Sequence, residues 1–443
     1  MRGYAIARCR LASFDRQFAA DCEVQRPDRY RLLDALPADA PRIARGGGVS
    51  YVGASFGNGA ISQSLRAFDR LLAFDADTGH LTIEAGATVG DLQRFALARG
   101  WWLPVTPGHP RATVGGCIAA DVHGKNPARD GTFRRHVEAM QLHSPVGGVR
   151  VASPARESDL FDATCGGFGL TGTIVRATLR LARAPSALVL RRIPVANLAD
   201  AARVLREAAN APVLYGWHDG RVRGFGRGVI RIGLASGEPA ASRRAAPSAA
   251  RDLPASIAPL PLALWNRAGI AVANGWIRAR WCRPGQEPLG VADALFPLNR
   301  ASGYFAAFGA AGMAEAQWLL PHARFEAFAA ALAELVAKQR PRIALLASKL
   351  FAGKASGLGF DGSGIALALQ VPAPAAHVQR AFLESLAELA IAHGGRPNLI
   401  KDSTLDATSV RRAIDGFDVA RAGLGKHNPG GLNTSELARR LAL

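Results

Sequence analysis

Cysteine is scarce in this 443-residue chain, and its pattern excludes two classes of protein. The five cysteines lie far apart, and no two of them have the Cys-x-x-Cys spacing. The sequence therefore predicts neither a disulfide framework nor a zinc site, and we expect no bound metal. A reducing cytoplasm is the simplest compartment for such a chain.

Long apolar runs are also missing. No stretch of about 18 uninterrupted apolar residues occurs, so no transmembrane helix is predicted. The first residues, 1–14, are too short and too interrupted by arginine for a secretory signal. Hydrophobic residues nevertheless make up 49% of the chain, enough to build large cores, and its length favours two domains.

Lysine is rare as well, although the formal net charge is +19. Only six of the 54 basic residues are lysine, and this arginine excess reflects either a GC-rich genome or a binding surface. Residues 221–286 hold 11 arginines and two acids. Within them, the aromatic and basic stretch 259–284 is either a surface excursion or an edge that rests on an anionic membrane, at its inner face. No nucleic-acid partner is predicted, because helix-turn-helix, zinc-ligand and aromatic-ladder patterns are missing.

Strand and helix patterns alternate along the chain and predict an α+β fold. Residues 29–120 alternate short apolar runs with glycine-rich turns, and 172–183 form a long β-branched strand pattern. Two amphipathic helix patterns, 324–340 and 377–395, enclose two strand patterns. Residues 241–261 have the composition of a linker. We predict a first domain over 1–183, an inserted α+β substrate domain over 184–399, and a C-terminal segment, 400–443, that returns to the first domain.

Three glycine-rich segments indicate a ligand. The first, Arg45–Tyr51, has three consecutive glycines after a strand, a loop whose backbone N–H groups suit a pyrophosphate but which also fits an ordinary turn. Its spacing is not Gly-x-Gly-x-x-Gly, so a nicotinamide site is not predicted. The second, residues 105–126, is predicted to be extended, with His123 and Lys125 on one side of a strand. The third, residues 165–172, leads directly into a strand. Together the three fit a cofactor with a long footprint, such as FAD.

The chain resembles the FAD-linked oxidoreductases of the vanillyl-alcohol oxidase (PCMH-type) superfamily, and within it the decaprenylphosphoryl-β-D-ribose 2-oxidases, which act on a polysaccharide precursor. Besides the three glycine-rich segments, the resemblance is carried by FGAAGMAEAQWLLP (308–321), SKLFAG (348–353), IKDS (400–403) and KHNP (426–429). It implies a two-domain PCMH-type FAD-binding fold and a flavoenzyme.

The resemblance also implies a role for individual residues. Those implied to bind the cofactor are Gly46, Gly47, Gly48, Ser50, Tyr51, Thr106, Pro107, Gly108, Thr113, Gly115, Gly116, Ala119, His123, Gly124, Gly169, Gly172, Ile174 and Lys401. Those implied to contact the substrate are Lys125, Trp217, Gln317 and Lys349. Lys401, His123 and Lys125 are implied to be catalytic, with Lys401 stabilising negative charge on the reduced flavin.

Several positions depart from the family pattern. Val49 stands where some members have the histidine that bonds the flavin, so we expect non-covalent FAD. Ala366 and Ala368 stand where the ribose oxidases have Asn and Cys on the substrate-facing strand. Glu315, Asn398 and Phe168 replace a Gln, a Tyr and an Asn. The FAD-binding positions are retained and the substrate-contacting positions are changed.

The function expected from these observations is oxidation of a secondary alcohol of a sugar, polyol or lipid-linked sugar, by hydride transfer to flavin N5. Three electron acceptors are open: a quinone-like molecule, a partner reductase, or oxygen. Two alternative functions are open too, an oxygen-using oxidase of free alditols or aldonolactones and a flavin-binding protein with a degenerate substrate site.

Overall fold

The structure, a computed structural model, describes residues 6–144, 147–236, 254, 256–297, 299 and 301–443. Most of the predicted linker, 241–261, therefore lies outside the described residues. The strands of the protein are β1 (Ile6–Ala12), β2 (Ala19–Gln25), β3 (Arg42–Arg45), β4 (Ile61–Ser64), β5 (Leu71–Phe74), β6 (His80–Glu84), β7 (Trp101–Trp102), β8 (Val137–Ser144), β9 (Gly148–Ala152), β10 (Thr173–Arg180), β11 (Ala182–Arg183), β12 (Ala187–Val195), β13 (Val213–His218), β14 (Gly228–Ser236), β15 (Gly285–Leu289), β16 (Met313–Pro321), β17 (Leu345–Ala352), β18 (Ser363–Pro372) and β19 (Arg396–Pro397).

Helices connect these strands. They are α1 (Val89–Leu97), α2 (Val114–Ala119), α3 (Pro127–Asp130), α4 (Ser158–Thr164), α5 (Leu198–Glu207), α6 (Arg267–Trp281), α7 (Val291–Leu295), α8 (Ser302–Ala306), α9 (His322–Gln339), α10 (His377–Ala392), α11 (Ala407–Ala413), α12 (Phe417–Lys426) and α13 (Glu436–Leu441). Among the described residues, no helix combines the length and apolarity needed to cross a bilayer.

The first 183 residues build two main sheets. One has the order β1-β2-β4-β3 and the other the order β5-β6-β10-β8-β9, while β7 and β11 pair separately. The strands predicted within 29–120 and over 172–183 are present, and helix α1 ends before Gly100, whose φ is +74°. That positive φ is a conformation glycine adopts without strain, which is why the helix ends there. Mixed α and β structure is thereby confirmed.

The extended conformation predicted across 105–126 is wrong at its centre. Residues 114–119 form helix α2, because the Thr113 hydroxyl caps it by accepting the Gly116 amide N–H at 3.3 Å. A Cβ at Gly115 would lie 2.9 Å from the Cβ of Ala85, so close packing favours glycine here despite its low helix propensity. His123 and Lys125 do not lie on a strand either. His123 forms only an isolated bridge with Thr132, and Lys125 lies in a bend.

Residues 187–397 supply one eight-stranded sheet in the order β15-β12-β14-β13-β17-β18-β16-β19. Side chains alternate between its two faces. On one face Ala316 and Trp318 of β16 join the largest core cluster, packed beneath α5, α9 and α10. Glu315 and Gln317, on the same strand, point to the other face, which lines a cavity. The helices predicted over 324–340 and 377–395 are α9 and α10.

The C-terminal residues lie against the first sheet. The Arg42 amide N–H donates to the Leu432 carbonyl at 2.8 Å, and the Thr434 amide N–H donates to the Arg42 carbonyl at 3.0 Å. Ser435 then caps α13, its hydroxyl accepting the Ala438 amide at 3.2 Å. The division into 1–183, 184–399 and 400–443 stays a prediction, since core residues from all three segments, among them Ile43 and Leu437, share one cluster.

Replacing Phe328 tests the packing that supports the cavity wall. Phe328 of α9 is fully buried in the core behind the eight-stranded sheet. Phe328→Ala should lower the free energy of unfolding by about 3–5 kcal/mol, because it removes a buried ring and leaves a void. Urea unfolding would measure this. Val419→Ala, at a side chain 77% exposed on α12, is the control and should change stability little. Equal effects would contradict the packing described.

Candidate active site

One cavity of about 2100 Å³ lies between the glycine-rich segments and the open face of the eight-stranded sheet. Ligand pockets for small molecules usually occupy about 300–1,000 Å³, so this cavity has room for a large cofactor together with a substrate. Its lining divides into three parts: a glycine-rich wall, a polar group of lysines and amides on the sheet, and an aromatic, apolar end beneath α6.

The glycine-rich wall is a place where backbone approaches backbone. A Cβ at Gly46 would collide with the Thr113 hydroxyl, and one at Gly47 would collide with the Arg111 carbonyl. Gly48 has φ +68° and lies against the Arg45 guanidinium, whose Nη1 donates to the Ser55 hydroxyl at 2.8 Å. The loop is thus held tightly against the segment before α2, with its backbone facing the cavity.

The structure brings most of the predicted cofactor-binding residues to this cavity. They are Gly46, Gly47, Gly48, Ser50, Tyr51, Pro107, Gly108, Thr113, Gly115, Gly116, Ala119, His123, Gly169, Gly172, Ile174 and Lys401. Two do not line it. Thr106 is buried behind the wall, where its hydroxyl donates to the Leu103 carbonyl and accepts from Gln93. Gly124 packs against Val105, although its carbonyl is a hydrogen-bond acceptor in the site.

His123 lies at the centre of a chain of hydrogen bonds. The Asn398 amide donates to Gln317 Oε1 at 2.8 Å, which leaves Gln317 Nε2 to donate to His123 Nε2 at 3.1 Å. On the other side of the ring, Lys349 Nζ lies 3.2 Å from His123 Nδ1 and donates to the Gly124 carbonyl at 2.7 Å. Burial, and then the nearby Lys349, hold the pKa of His123 well below its usual value, so the ring is neutral.

Lys401 belongs to a second group of contacting side chains, which is built around the carboxylate of Glu315. Its Nζ is 3.3 Å from Glu315 Oε1 and 4.1 Å from the centre of the Tyr51 ring. Gln370 donates to the other oxygen of Glu315 and accepts from the Tyr304 hydroxyl. Burial, followed by the charge of Glu315, raises the pKa of both Tyr51 and Tyr304, which keeps the two phenols protonated.

Lys125 is buried, with 6% of its surface exposed, and it lines the cavity. Its backbone is fixed by the next residue, since the Asn126 amide donates to the carbonyls of Ala209 and Ala211, each at 2.6 Å. Burial, and then the charge of Lys401, lower the pKa of Lys125 to about 7. Burial also holds the pKa of Lys349 well below its usual value.

The fourth predicted substrate residue, Trp217, is buried on β13 and marks the start of the apolar end. Beyond it the Arg231 guanidinium carbon lies 4.8 Å from the Trp281 ring centre and 5.6 Å from that of Tyr215. Ala368 lines the cavity, whereas Ala366 does not line it and packs with Leu319, Phe351 and Phe360.

Sequence reasoning missed several cavity residues. No place in the site was predicted for Tyr304, Gln370, Tyr215, Arg231, Trp276 and Trp281, although the two tryptophans belong to the stretch 259–284 that was considered as a membrane edge. Period-two spacing from a predicted site residue was a usable signal for some: Tyr215 is two residues from Trp217 on β13. The residues on α6 and α8 carried no such signal.

Comparison with known proteins identifies the cofactor. Residues 32–153 match the family described as "FAD binding domain". The chain is 29% identical over 417 residues to decaprenylphosphoryl-beta-D-ribose oxidase of Mycolicibacterium smegmatis, covering 90% of this chain and 89% of that one. It is 32% identical over 385 residues to an uncharacterized protein in the mprA 5' region of Streptomyces coelicolor, covering 80% of this chain and 100% of that one.

The chain belongs to the PCMH-type FAD oxidoreductases. D-lactate dehydrogenase of Anaerostipes hadrus is also similar, at 31% identity over 173 residues, 38% of this chain and 35% of that one. The protein is thus an FAD-linked oxidoreductase acting on CH–OH groups. The residues fit the cofactor, because the Gly46–Gly48 loop packs directly on Thr113, Arg111 and Arg45 and lines the cavity with backbone.

The Gly47→Ala variant tests the cofactor cradle. The added methyl group would meet the Arg111 backbone carbonyl, which has no freedom to rotate away, so the loop must shift from the place where the pyrophosphate is predicted to bind. We expect FAD affinity to fall at least about tenfold, equal to about 1.4 kcal/mol. Fluorescence titration of the apoprotein with FAD would measure it. Gly423→Ala, at an open position on α12, is the control. Unchanged affinity for Gly47→Ala would contradict the assignment.

The Glu315→Gln variant tests the charge on Lys401. The change removes the carboxylate 3.3 Å from Lys401 Nζ and leaves the amide able to contact Gln370. An uncompensated cation near the flavin stabilises its anionic reduced form. The midpoint potential should therefore rise, by about 30 mV for a tenfold change in a two-electron couple. Redox titration of the bound flavin would show it, and a potential that falls would contradict the arrangement.

Proposed function

We propose that this flavoenzyme oxidises a secondary alcohol of a lipid-linked sugar. The observation that carries the proposal is the shape of the cavity, which joins a polar end bearing Lys125, Lys349 and Lys401 to an apolar, aromatic end beneath α6. A sugar with a hydrophobic tail has the same two-part character. The similarity to decaprenylphosphoryl-beta-D-ribose oxidase supports the same substrate class.

The polar end would orient the sugar. When bound, FAD supplies an acceptor for hydride at N5. Gln317 is held by Asn398 and in turn holds the His123 ring in one orientation. The protein side of the site is therefore fixed before substrate binds, which lowers the entropy cost of aligning the carbinol carbon. Lys349, Lys125 and Lys401 present N–H donors to this end of the cavity. Such donors suit a substrate rich in acceptor oxygens, such as a sugar with a phosphate ester linkage.

The apolar end would hold the lipid. Trp217, Trp281, Ile277, Leu289 and Phe296 line it. A free alditol or aldonolactone has no apolar tail and would leave the apolar end of the cavity exposed to water. Oxidation of free polyols is therefore the weaker alternative function. Val49 at the family's covalent position supports non-covalent FAD, and a partner reductase, a quinone or oxygen would reoxidise it.

The mouth of this end is proposed to contact a membrane. Leu262 and Val272 are each 74% exposed and Trp276 is 62% exposed, which is unusual for large apolar side chains on one short stretch. Arg278 and Arg280 on the same helix are exposed as well. Apolar groups beside arginine suit an anionic lipid surface, from which a lipid-linked substrate would enter. We place the protein in the cytoplasm, at the inner face of the membrane.

A substrate panel tests the proposed reaction. The holoenzyme is mixed without oxygen with a polyprenyl-phosphoryl sugar, the same sugar as its free phosphate, free alditols and a 2-hydroxy acid. We expect the lipid-linked sugar to bleach the flavin at least about tenfold faster than the others, because only it fills the apolar end. Faster bleaching by an alditol or a hydroxy acid would contradict the lipid-linked substrate. Bleaching by none would favour a degenerate site.

Vesicle binding tests the membrane edge. The holoenzyme should sediment with vesicles containing anionic phosphatidylglycerol and less with phosphatidylcholine alone, and added salt should weaken binding. Trp276→Ser should reduce the partition coefficient about tenfold or more, since burying an indole contributes about 1.5–3 kcal/mol. Val419→Ser, at an even more exposed apolar side chain on α12, is the control. Equal loss in both variants, or no binding by the parent, would contradict the proposal.

A further inference from the structure

Oxidation of an alcohol releases a proton as well as a hydride, and some group in the cavity must accept that proton. At the polar end of the cavity, the described residues that can hold a proton are His109, Cys117, Asp121, His123, Lys125, Glu315, Lys349, Lys401, Tyr51 and Tyr304, whereas Tyr215, Arg231 and Asp293 line the apolar end. Burial raises the pKa of the Cys117 thiol and of the Tyr51 and Tyr304 phenols, so these three groups keep their protons. A proton acceptor needs an unoccupied lone pair that points to the substrate space. The hydrogen bonds of the site remove nearly all of these groups.

His123 and Lys349 are held by a chain of hydrogen bonds. His123 Nε2 accepts from Gln317, so the ring proton lies on Nδ1, which is 3.2 Å from both Lys349 Nζ and the Gly124 carbonyl oxygen. Lys349 Nζ also donates to the Gly124 carbonyl at 2.7 Å. Both side chains therefore have partners within the protein, which hold them in place.

The acids and the remaining cations are also engaged. Asp121 accepts the Arg134 amide N–H at 2.9 Å and the Thr132 hydroxyl at 3.0 Å. Glu315 is ion-paired with Lys401 and accepts from Gln370. His109 accepts the Arg111 amide N–H on one ring nitrogen and donates to the Pro254 carbonyl with the other.

Lys125 is the residue of this set that has no such partner. Within the part of the chain that the structure describes, no hydrogen-bond acceptor and no carboxylate contacts its amine, although only 6% of the residue's surface is exposed. Burial disfavours the ammonium, so a large fraction of the amine is neutral near pH 7. Its lone pair is free, and its neighbours in sequence are His123 and Gly124, beside the predicted flavin position.

We propose that the neutral amine of Lys125 is the general base of the reaction, taking the hydroxyl proton of the substrate alcohol. This rests on the proposed function. The O–H bond breaks and its proton goes to Nζ. The carbinol C–H bond breaks and its hydrogen leaves with both electrons to the oxidised flavin, the oxidant. The products are the ketone, reduced flavin and the Lys125 ammonium, which loses its proton to solvent before the next turnover.

The charged and titratable groups that face Lys125 explain its protonation. They are Lys401 on the loop after β19, Lys349 on β17, His123 on its own segment, and Glu315 on β16, which is neutralised by Lys401. Burial and Lys401 together place the Lys125 pKa at about 7. Below that pH the amine carries a proton and cannot accept another, so flavin reduction should slow as the pH falls through about 7 and level off above it.

The protonation state is tested without any substrate. Competitive labelling of the holoenzyme with trace acetic anhydride across pH 5–11, followed by mass spectrometry, gives the titration of each lysine. We expect Lys125 to titrate near pH 7. Titration of Lys125 near 10 would overturn the proposal whatever the enzyme oxidises.

Two variants then distinguish a role of Lys125 as a base from a role as a fixed positive charge. Lys125→Arg keeps the positive charge but supplies no base, and Lys125→Met removes both. If Lys125 is the base, both variants should reduce the flavin at least about 10²-fold more slowly than the parent and lose the inflection near pH 7. Lys354→Met is the control, expected to match the parent. A Lys125→Arg variant within about threefold of the parent would show that charge suffices, and would overturn the proposal.

The same experiments distinguish this inference from the proposed function. If no alcohol in the panel bleaches the parent, the proposed reaction fails, while the labelling still decides whether Lys125 is neutral. If the parent is bleached and Lys125→Arg is bleached equally fast, the reaction stands and the base assignment fails. FAD binding by each variant, followed by flavin absorbance, shows that the variants are folded.

Discussion

The alternation of side chains across the eight-stranded sheet is the constraint on which the rest of the structure depends. Trp318 and its neighbours must face α5, α9 and α10 to be buried, so Glu315 and Gln317 are forced to the opposite face. Every polar group that the sheet contributes to the site lies on that face. The core and the site are therefore two sides of the same strands, and a shift of one residue in β16 would exchange them.

The arrangement of charged side chains in the site follows from this geometry. Three lysines converge where the open face of the sheet meets the glycine-rich wall, and one carboxylate, Glu315, balances one of them. Lys401 is ion-paired with Glu315, while burial favours the neutral amine at Lys125 and Lys349. In the proposed mechanism one amino group stabilises charge on the flavin and another accepts a proton. The same residue type carries opposite roles because its surroundings differ.

Local patterns predicted the glycine loop, the strand at 172–183 and helices α9 and α10, because their turn residues and periodicities act within a few positions. Helix α2 was missed because Gly115 and Gly116 lower local helix propensity, and only packing against Ala85 shows why they are there. The pairing of β13 with β17 joins residues about 130 positions apart, which no local pattern contains. Resemblance to a family placed Lys125, Gln317 and Lys349, but the hydrogen bonds that assign their roles required the fold.

The most direct measurement is an experimental structure of the holoenzyme with the ketone product bound. The account predicts that the FAD pyrophosphate lies on Gly46–Gly48, and that the ketone lies against the sheet face bearing Gln317 and Lys349, with its oxygen near Lys125 Nζ. It predicts the remainder of the product beneath α6. A pyrophosphate away from the glycine loop, or a ketone bound outside this cavity, would contradict it.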